Sequence, residues 1–153
     1  MLQRIQTVYL LLALILTVIC LCLPVGFFVP DGMGASAVMN NLWVNTPNGG
    51  NDFSVWPLFA FLVVTCPVCL FSIFLYSNRP LQSRLCVLCI LLNIAWLAFY
   101  AYKGFFSVEE GMHFKMAFAA VLPVVSIILY ALARKGILKD ERLVKESESF
   151  RIR

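Results

Sequence analysis

The residues with the most chemistry to offer are four of the six cysteines, which form two Cys-x-x-Cys units, Cys66-Pro67-Val68-Cys69 and Cys86-Val87-Leu88-Cys89. On a soluble chain this pattern describes a zinc ribbon, in which four thiolates close a tetrahedral shell around one dication. Here each unit lies within or at the end of an uncharged, apolar stretch. Four thiolates on one dication leave excess negative charge in a low dielectric, and apolar spans lack the turns that wrap a ribbon around its metal. No metal and no cofactor are therefore expected. His113, the single histidine, sits at the end of such a stretch and reads as an exposed interface residue. Each stretch also carries a polar residue near its middle, namely Thr17, Thr65, Asn93 and Ser126. At that depth a bonded hydroxyl or amide is cheaper than one facing lipid, so these four are expected to face neighbouring helices; a narrow solute route is the alternative.

The elements that position these groups are helices long enough to cross a bilayer. Of 153 residues, 61% are hydrophobic and 13% charged, too apolar a balance for a soluble domain. Uncharged windows run from Ile5 to Pro30, Phe53 to Asn78, Leu85 to Tyr102 and Met116 to Ala133. A hydrocarbon layer of about 30 Å takes roughly 20 helical residues, so an all-α, polytopic four-helix bundle is expected. Its spans are placed at about 7–29, 56–76, 85–102 and 112–133. The first window imitates a secretory signal, but no small-x-small cleavage site follows it, and it reads as an uncleaved span bent at Pro24. Ser54 is the expected N-cap of the second helix, kinks are expected at Pro67 and Pro123, and Gly136 is expected to end the fourth helix. Residues 1–134 then form one transmembrane domain, with 135–153 a charged tail.

The connection at 30–55 is rich in Gly, Asn and Pro and reads as a loop outside the membrane. Within it, Leu42-Trp43-Val44 and Phe53-Ser54-Val55 flank Asn48-Gly49-Gly50, the signature of a small hairpin. Trp43 and Trp56 read as interface anchors. Lys and Arg fix the orientation. With the N-terminus inside, Arg4, Arg79, Arg84, Arg134, Lys135, Lys139, Arg142, Lys145, Arg151 and Arg153 share one side, against Lys103 and Lys115 on the other. The positive-inside rule makes both termini cytoplasmic. Near a membrane these cations are sufficiently explained, and nothing resembles a nucleic-acid-binding module.

Two resemblances bear on function. Cys86-Val87-Leu88-Cys89 is similar to the cysteine pair of the bacterial inner-membrane disulfide-forming oxidoreductase, a four-helix protein that passes electrons to quinone. That enzyme exchanges disulfides on the oxidising side of the membrane, whereas the charge count puts Cys86 and Cys89 at the cytoplasmic interface, and the outer loop carries no second pair. The wider resemblance rests on Gln3-Arg4-Ile5-Gln6-Thr7, on Asn78-Arg79-Pro80-Leu81-Gln82 with Arg84-Leu85, and on Lys139-Asp140-Glu141 with Leu143-Val144. With these three motifs in order, the chain resembles small four-helix inner-membrane proteins of unknown function from Bacteroidetes. The resemblance implies a bacterial inner-membrane protein and no activity.

All three motifs fall on the cytoplasmic side of the derived topology. The role expected from this convergence is non-enzymatic: a structural or accessory subunit that docks a membrane or cytoplasmic protein partner through Arg4, Arg79, Arg84, Lys139, Asp140 and Glu141. In the tail, Glu141 and Lys145 form a favourable i,i+4 pair beside Ile137, Leu138, Leu143 and Val144, consistent with a short surface helix. The alternatives are a thiol-disulfide oxidoreductase using Cys86 and Cys89, with Cys66 and Cys69 as further redox candidates, and a component of a small-solute transporter.

Overall fold

The computed structural model describes residues 2–75, 77–108 and 110–151, and the side chains of residues 2–4, Arg4 among them, lie outside that description. Among the described residues four helices are long and apolar enough to cross a membrane: α1 (Leu2–Cys22), α2 (Trp56–Phe74), α3 (Arg79–Phe106) and α4 (Leu122–Arg151). They pack α1 on α2, α2 on α3, α3 on α4 and α4 on α1. The inward stripe advances by alternating steps of four and three residues, the spacing of helices crossing at about 20°. On α1 it comprises Gln6, Leu10, Ala13, Thr17 and Cys20, and on α3 Gln82, Cys86, Cys89, Asn93, Trp96 and Tyr100. The opposite faces carry Leu, Ile, Val and Phe to the outside. Both faces of each helix are thus apolar, and what distinguishes the inner one is small and polar residues rather than hydrophobicity.

The all-α expectation holds for the four-helix part alone: a five-stranded antiparallel sheet caps one end of the bundle. Its strands are β1 (Gly26–Pro30), β2 (Ala37–Met39), β3 (Val44–Asn45), β4 (Asn51–Asp52) and β5 (Met112–Met116), in the order β4-β3-β2-β1-β5. Two regions read as membrane helix belong to it. The first helix stops at Cys22, ahead of Pro24, and β1 pairs on one side with β2 and on the other with β5, where Phe28 lies opposite Phe114. An uncharged window does not separate an apolar strand from the end of a helix. The fourth helix likewise starts at Leu122 rather than Met112. Met-His-Phe-Lys alternates apolar and polar residues with the period of a strand, and His113 therefore sits on β5, where its Nε2 lies 2.6 Å from Asp31 Oδ1. A 3-10 turn, Phe118–Val121, leads into α4, so Pro123 falls in the first helical turn, where its missing donor does no harm.

The hairpin anticipated around Asn48-Gly49-Gly50 exists as β3 and β4, in a shorter register that pairs Val44 with Asp52 and Asn45 with Asn51. Gly49 has φ of +80°, a conformation that favours glycine. The hairpin is not isolated, because β2 continues the ladder. Ser54 is not the N-cap of α2: that place is Val55, and the Ser54 amide and hydroxyl donate to the two carboxylate oxygens of Asp52 at 3.0 and 2.8 Å. Nor does Gly136 end α4, which continues to Arg151 and passes the 134/135 boundary unbroken. The glycine permits a close approach: a Cβ there would stand 3.0 Å from Gln6 Cγ on α1. Finally α3 begins at Arg79, six residues ahead of Leu85, with Pro80 in its first turn, and extends past Tyr102 to Phe106 with Lys103 in the last turn, where a cation suits the helix dipole.

Candidate functional site

The inward stripes bring the two Cys-x-x-Cys units onto facing helices. Cys69 of α2 and Cys86 and Cys89 of α3 are wholly buried, and Cys66 is half-buried. All six cysteines are free thiols. The Cys69 thiol donates to the Leu10 carbonyl across the α1–α2 contact at 3.3 Å, and Cys86 Sγ lies 3.8 Å from Ser72 Oγ. Tyr130 of α4 closes the group beside Cys69, Cys89 and Thr17. Among the described residues no three Cys, His, Asp or Glu side chains gather as a metal site. Cys86 and Cys89 lie inside the bundle, two to three turns from the start of α3, because four-three spacing turns both inward. A thiolate that exchanges with a soluble partner must be reachable. These are not.

The mid-span polar residues are all buried, yet three bond within their own helices. Thr17 Oγ1 donates to the Ala13 carbonyl, Thr65 Oγ1 to Phe61 and Asn93 Nδ2 to Cys89, at 2.7–2.8 Å. Asn93 Oδ1, Ser126 Oγ and Tyr130 OH have no protein hydrogen-bond partner of good geometry, and neither has Gln6 Nε2.

Two of the polar motifs, at Arg79 and at Asp140, meet at the end opposite the sheet. Arg79, at the start of α3, places one guanidinium nitrogen 3.3 Å from Asp140 Oδ2 and donates from another to the Asp140 carbonyl at 3.3 Å. Gln82, also buried, donates to the Ser72 carbonyl near the end of α2 at 2.9 Å, closing the α2–α3 turn. Arg79 and Asp140 are thus spent on each other, holding the tail segment of α4 against the turn. Glu141 pairs with Lys145 at 2.8 Å, while Arg84 and Lys139 are exposed.

Residues 2–150 match the family described as Domain of unknown function (DUF4293). The chain belongs to that family. No curated protein sequence matches it. The family match spans both the bundle and the sheet, so the DUF4293 unit comprises the two together.

Sequence reasoning passed over the residues that join sheet to bundle. Asn41, 1% exposed, donates from Nδ2 to the Cys20 carbonyl at 2.6 Å and accepts at Oδ1 from the Trp96 indole at 3.1 Å. It thereby satisfies a carbonyl left over at the C-terminus of α1. Tyr100 stacks on Trp96 and donates its hydroxyl to the Val25 carbonyl at 2.7 Å. The Phe114 ring fits between Gly26 of β1 and Gly104 of α3, where a Cβ on either would lie 2.6 Å from it. Trp96, Tyr100 and Gly104 share one face of α3, a four-residue spacing that is the sequence signal for this seam.

Proposed function

We propose that this DUF4293 protein is a non-enzymatic accessory subunit of the bacterial inner membrane, with both termini cytoplasmic, that docks a protein partner on the tail end of α4. The observation that carries the reading is the continuity of α4 past Gly136 to Arg151, clamped at its exit from the bundle by Arg79 and Asp140. Beyond the clamp the helix exposes Leu143, Val144 and Phe150 among charged residues. Orientation rests on the charge asymmetry: the sheet end carries Lys103 and Lys115, and the described Arg and Lys otherwise lie toward the tail end. The buried thiols speak against disulfide exchange with a soluble partner, and the local bonding of Thr17, Thr65 and Asn93 against a polar solute route.

The test is site-specific photo-crosslinking in living cells, with the reactive side chain at Val144 or Phe150 and, for comparison, at Phe106. A protein adduct of constant mass from the tail positions, lost in Arg79→Ala/Arg84→Ala, is expected. Tail positions that yield no adduct beyond those at Phe106 would sink the docking reading. Orientation is checked separately with a membrane-impermeant thiol reagent on cysteine-substituted chains. Asn48→Cys should label in intact spheroplasts and Ser147→Cys only after lysis.

A further inference from the structure

Opposite charges that face one space without touching mark a place for a ligand that carries both. At the sheet end a cavity of about 150 Å³ opens between the sheet and the facing ends of α2 and α3. Phe28, Val44, Val55 and Met112 form its apolar walls, and Asp52 and Lys103 supply its charge. The Asp52 carboxylate is fixed in place, since each oxygen accepts one hydrogen bond from Ser54 and keeps lone-pair capacity for another donor. The Ser54 hydroxyl and amide hold its carboxyl below the ordinary range, with a smaller pull from Lys103, so it is an anion at neutral pH. Lys103 Nζ stands 5.9 Å from the centroid of the Phe99 ring, and no ion pair within 4 Å joins it to Asp52 or to any other described carboxylate.

The other hollows differ in this respect. A groove of about 370 Å³ along α3 and α4 is lined by Leu97, Phe105, Val121 and similar residues and has no charge at all. The hollow of about 470 Å³ beside the tail is charged, but Arg79 and Lys145 there already have carboxylate partners. Of these three hollows, the one at the sheet end alone is lined by both signs unpaired. The cavity is smaller than a drug-sized site and suits a group of a few non-hydrogen atoms. It lies where α2 begins and α3 ends, the level at which spanning helices leave the hydrocarbon layer.

We propose that this cavity binds a zwitterion, with a primary ammonium on Asp52 and a phosphate-like anion on Lys103, the chemistry of an ethanolamine phosphate headgroup. The ammonium donates hydrogen bonds to a carboxylate that is already positioned, and the anion neutralises a lysine that otherwise has only a ring face. A quaternary ammonium lacks the donors, and a glycerol headgroup lacks the cation. This inference stands apart from the reading of the tail.

Native mass spectrometry of the full chain, delipidated and then exchanged against vesicles of phosphatidylethanolamine, phosphatidylcholine or phosphatidylglycerol, tests it. The wild type is expected to retain the ethanolamine lipid roughly tenfold better than either alternative. Asp52→Asn, whose remaining oxygen still accepts one of the two Ser54 bonds, should lose the preference over phosphatidylglycerol. Lys103→Met should weaken retention of the ethanolamine lipid, and Lys115→Met, on the same end, should change nothing. Soluble glycerophosphoethanolamine separates the sources: displacement of the lipid makes a free zwitterion sufficient, and failure to displace it makes the lipid the ligand. Thermal unfolding of each variant confirms that the cavity is intact. Equal retention of the three lipids with no binding of the soluble zwitterion, or a preference that survives in both Asp52→Asn and Lys103→Met, overturns the proposal.

Discussion

At the sheet end backbone carbonyls are taken up by side chains distant in sequence: Asn41 caps Cys20 of α1, the Cys20 thiol reaches the Ala119 carbonyl, and Tyr100 reaches the Val25 carbonyl. At the tail end the comparable work falls to Gln82 on Ser72 and to one partly exposed ion pair, Arg79 with Asp140. The first end is knitted across distant sequence and filled with stacked rings; the second is held by contacts near the surface of the bundle and leaves a helix projecting. Buried polar bonds are costly to break, whereas partly exposed ion pairs contribute little net stability. The sheet end is therefore where the fold is fixed, and the tail end is where a change alters presentation without unfolding the molecule.

The comparison is broken most severely by Asn41→Leu, which strands the Trp96 indole N–H and the Cys20 carbonyl together. A loss of about 3 kcal/mol is expected in denaturant unfolding of the detergent-solubilised protein. Gly104→Ala forces a methyl group against the Phe114 ring and should cost about 2 kcal/mol by the same measurement. Tyr100→Phe keeps the stack on Trp96 and removes only the bond to Val25, for about 1 kcal/mol. Arg79→Ala should lower global stability by less than about 1 kcal/mol. It should nonetheless raise amide hydrogen exchange across the tail segment of α4 and leave β1 and β5 unchanged. If Arg79→Ala unfolds the bundle as readily as Asn41→Leu, the contrast between the ends fails.

The smallest effect concerns acid. Asp52 has a folded pKa below its unfolded value, so the stability it contributes is present above the unfolded pKa and lost as pH falls through the folded one. In Asp52→Asn the stability should be slightly lower at neutral pH, fall less steeply below about pH 4, and meet that of the wild type in acid. Equal acid sensitivity in the two proteins would remove Asp52 from the account.

The four spans were legible because a helix that crosses lipid must be uncharged for its whole length, and Arg79, Lys103 and Arg134 mark where charge resumes. Their boundaries were not, because one requirement fits both an apolar strand and an apolar helix. Gly26–Pro30 carries no polar alternation to betray it, while Met112–Met116 does and was absorbed into the neighbouring span. Gly136 misled for a related reason. A glycine that ends helices in water also lets two helices approach in a membrane, and only the position of Gln6 distinguishes the two uses. The pairing of Arg79 with Asp140 joins residues sixty-one positions apart, a relation that neither motif announces. The buried thiols were visible as residues, but their closure depended on the rotation of α3, which four-three spacing fixes once the bundle is known to be four helices in a ring.

The unbroken run of α4 sets a length as well as a surface. At 1.5 Å per residue the part beyond Arg134 rises about 25 Å, which is nearly the thickness of the hydrocarbon layer again. A flexible tether of that many residues would let whatever it holds roam over the membrane; a helix rooted in the bundle fixes both height and bearing. With the bundle inserted as proposed, anything seated near Phe150 would stand clear of the headgroups, and its heading would turn only as the whole bundle turns.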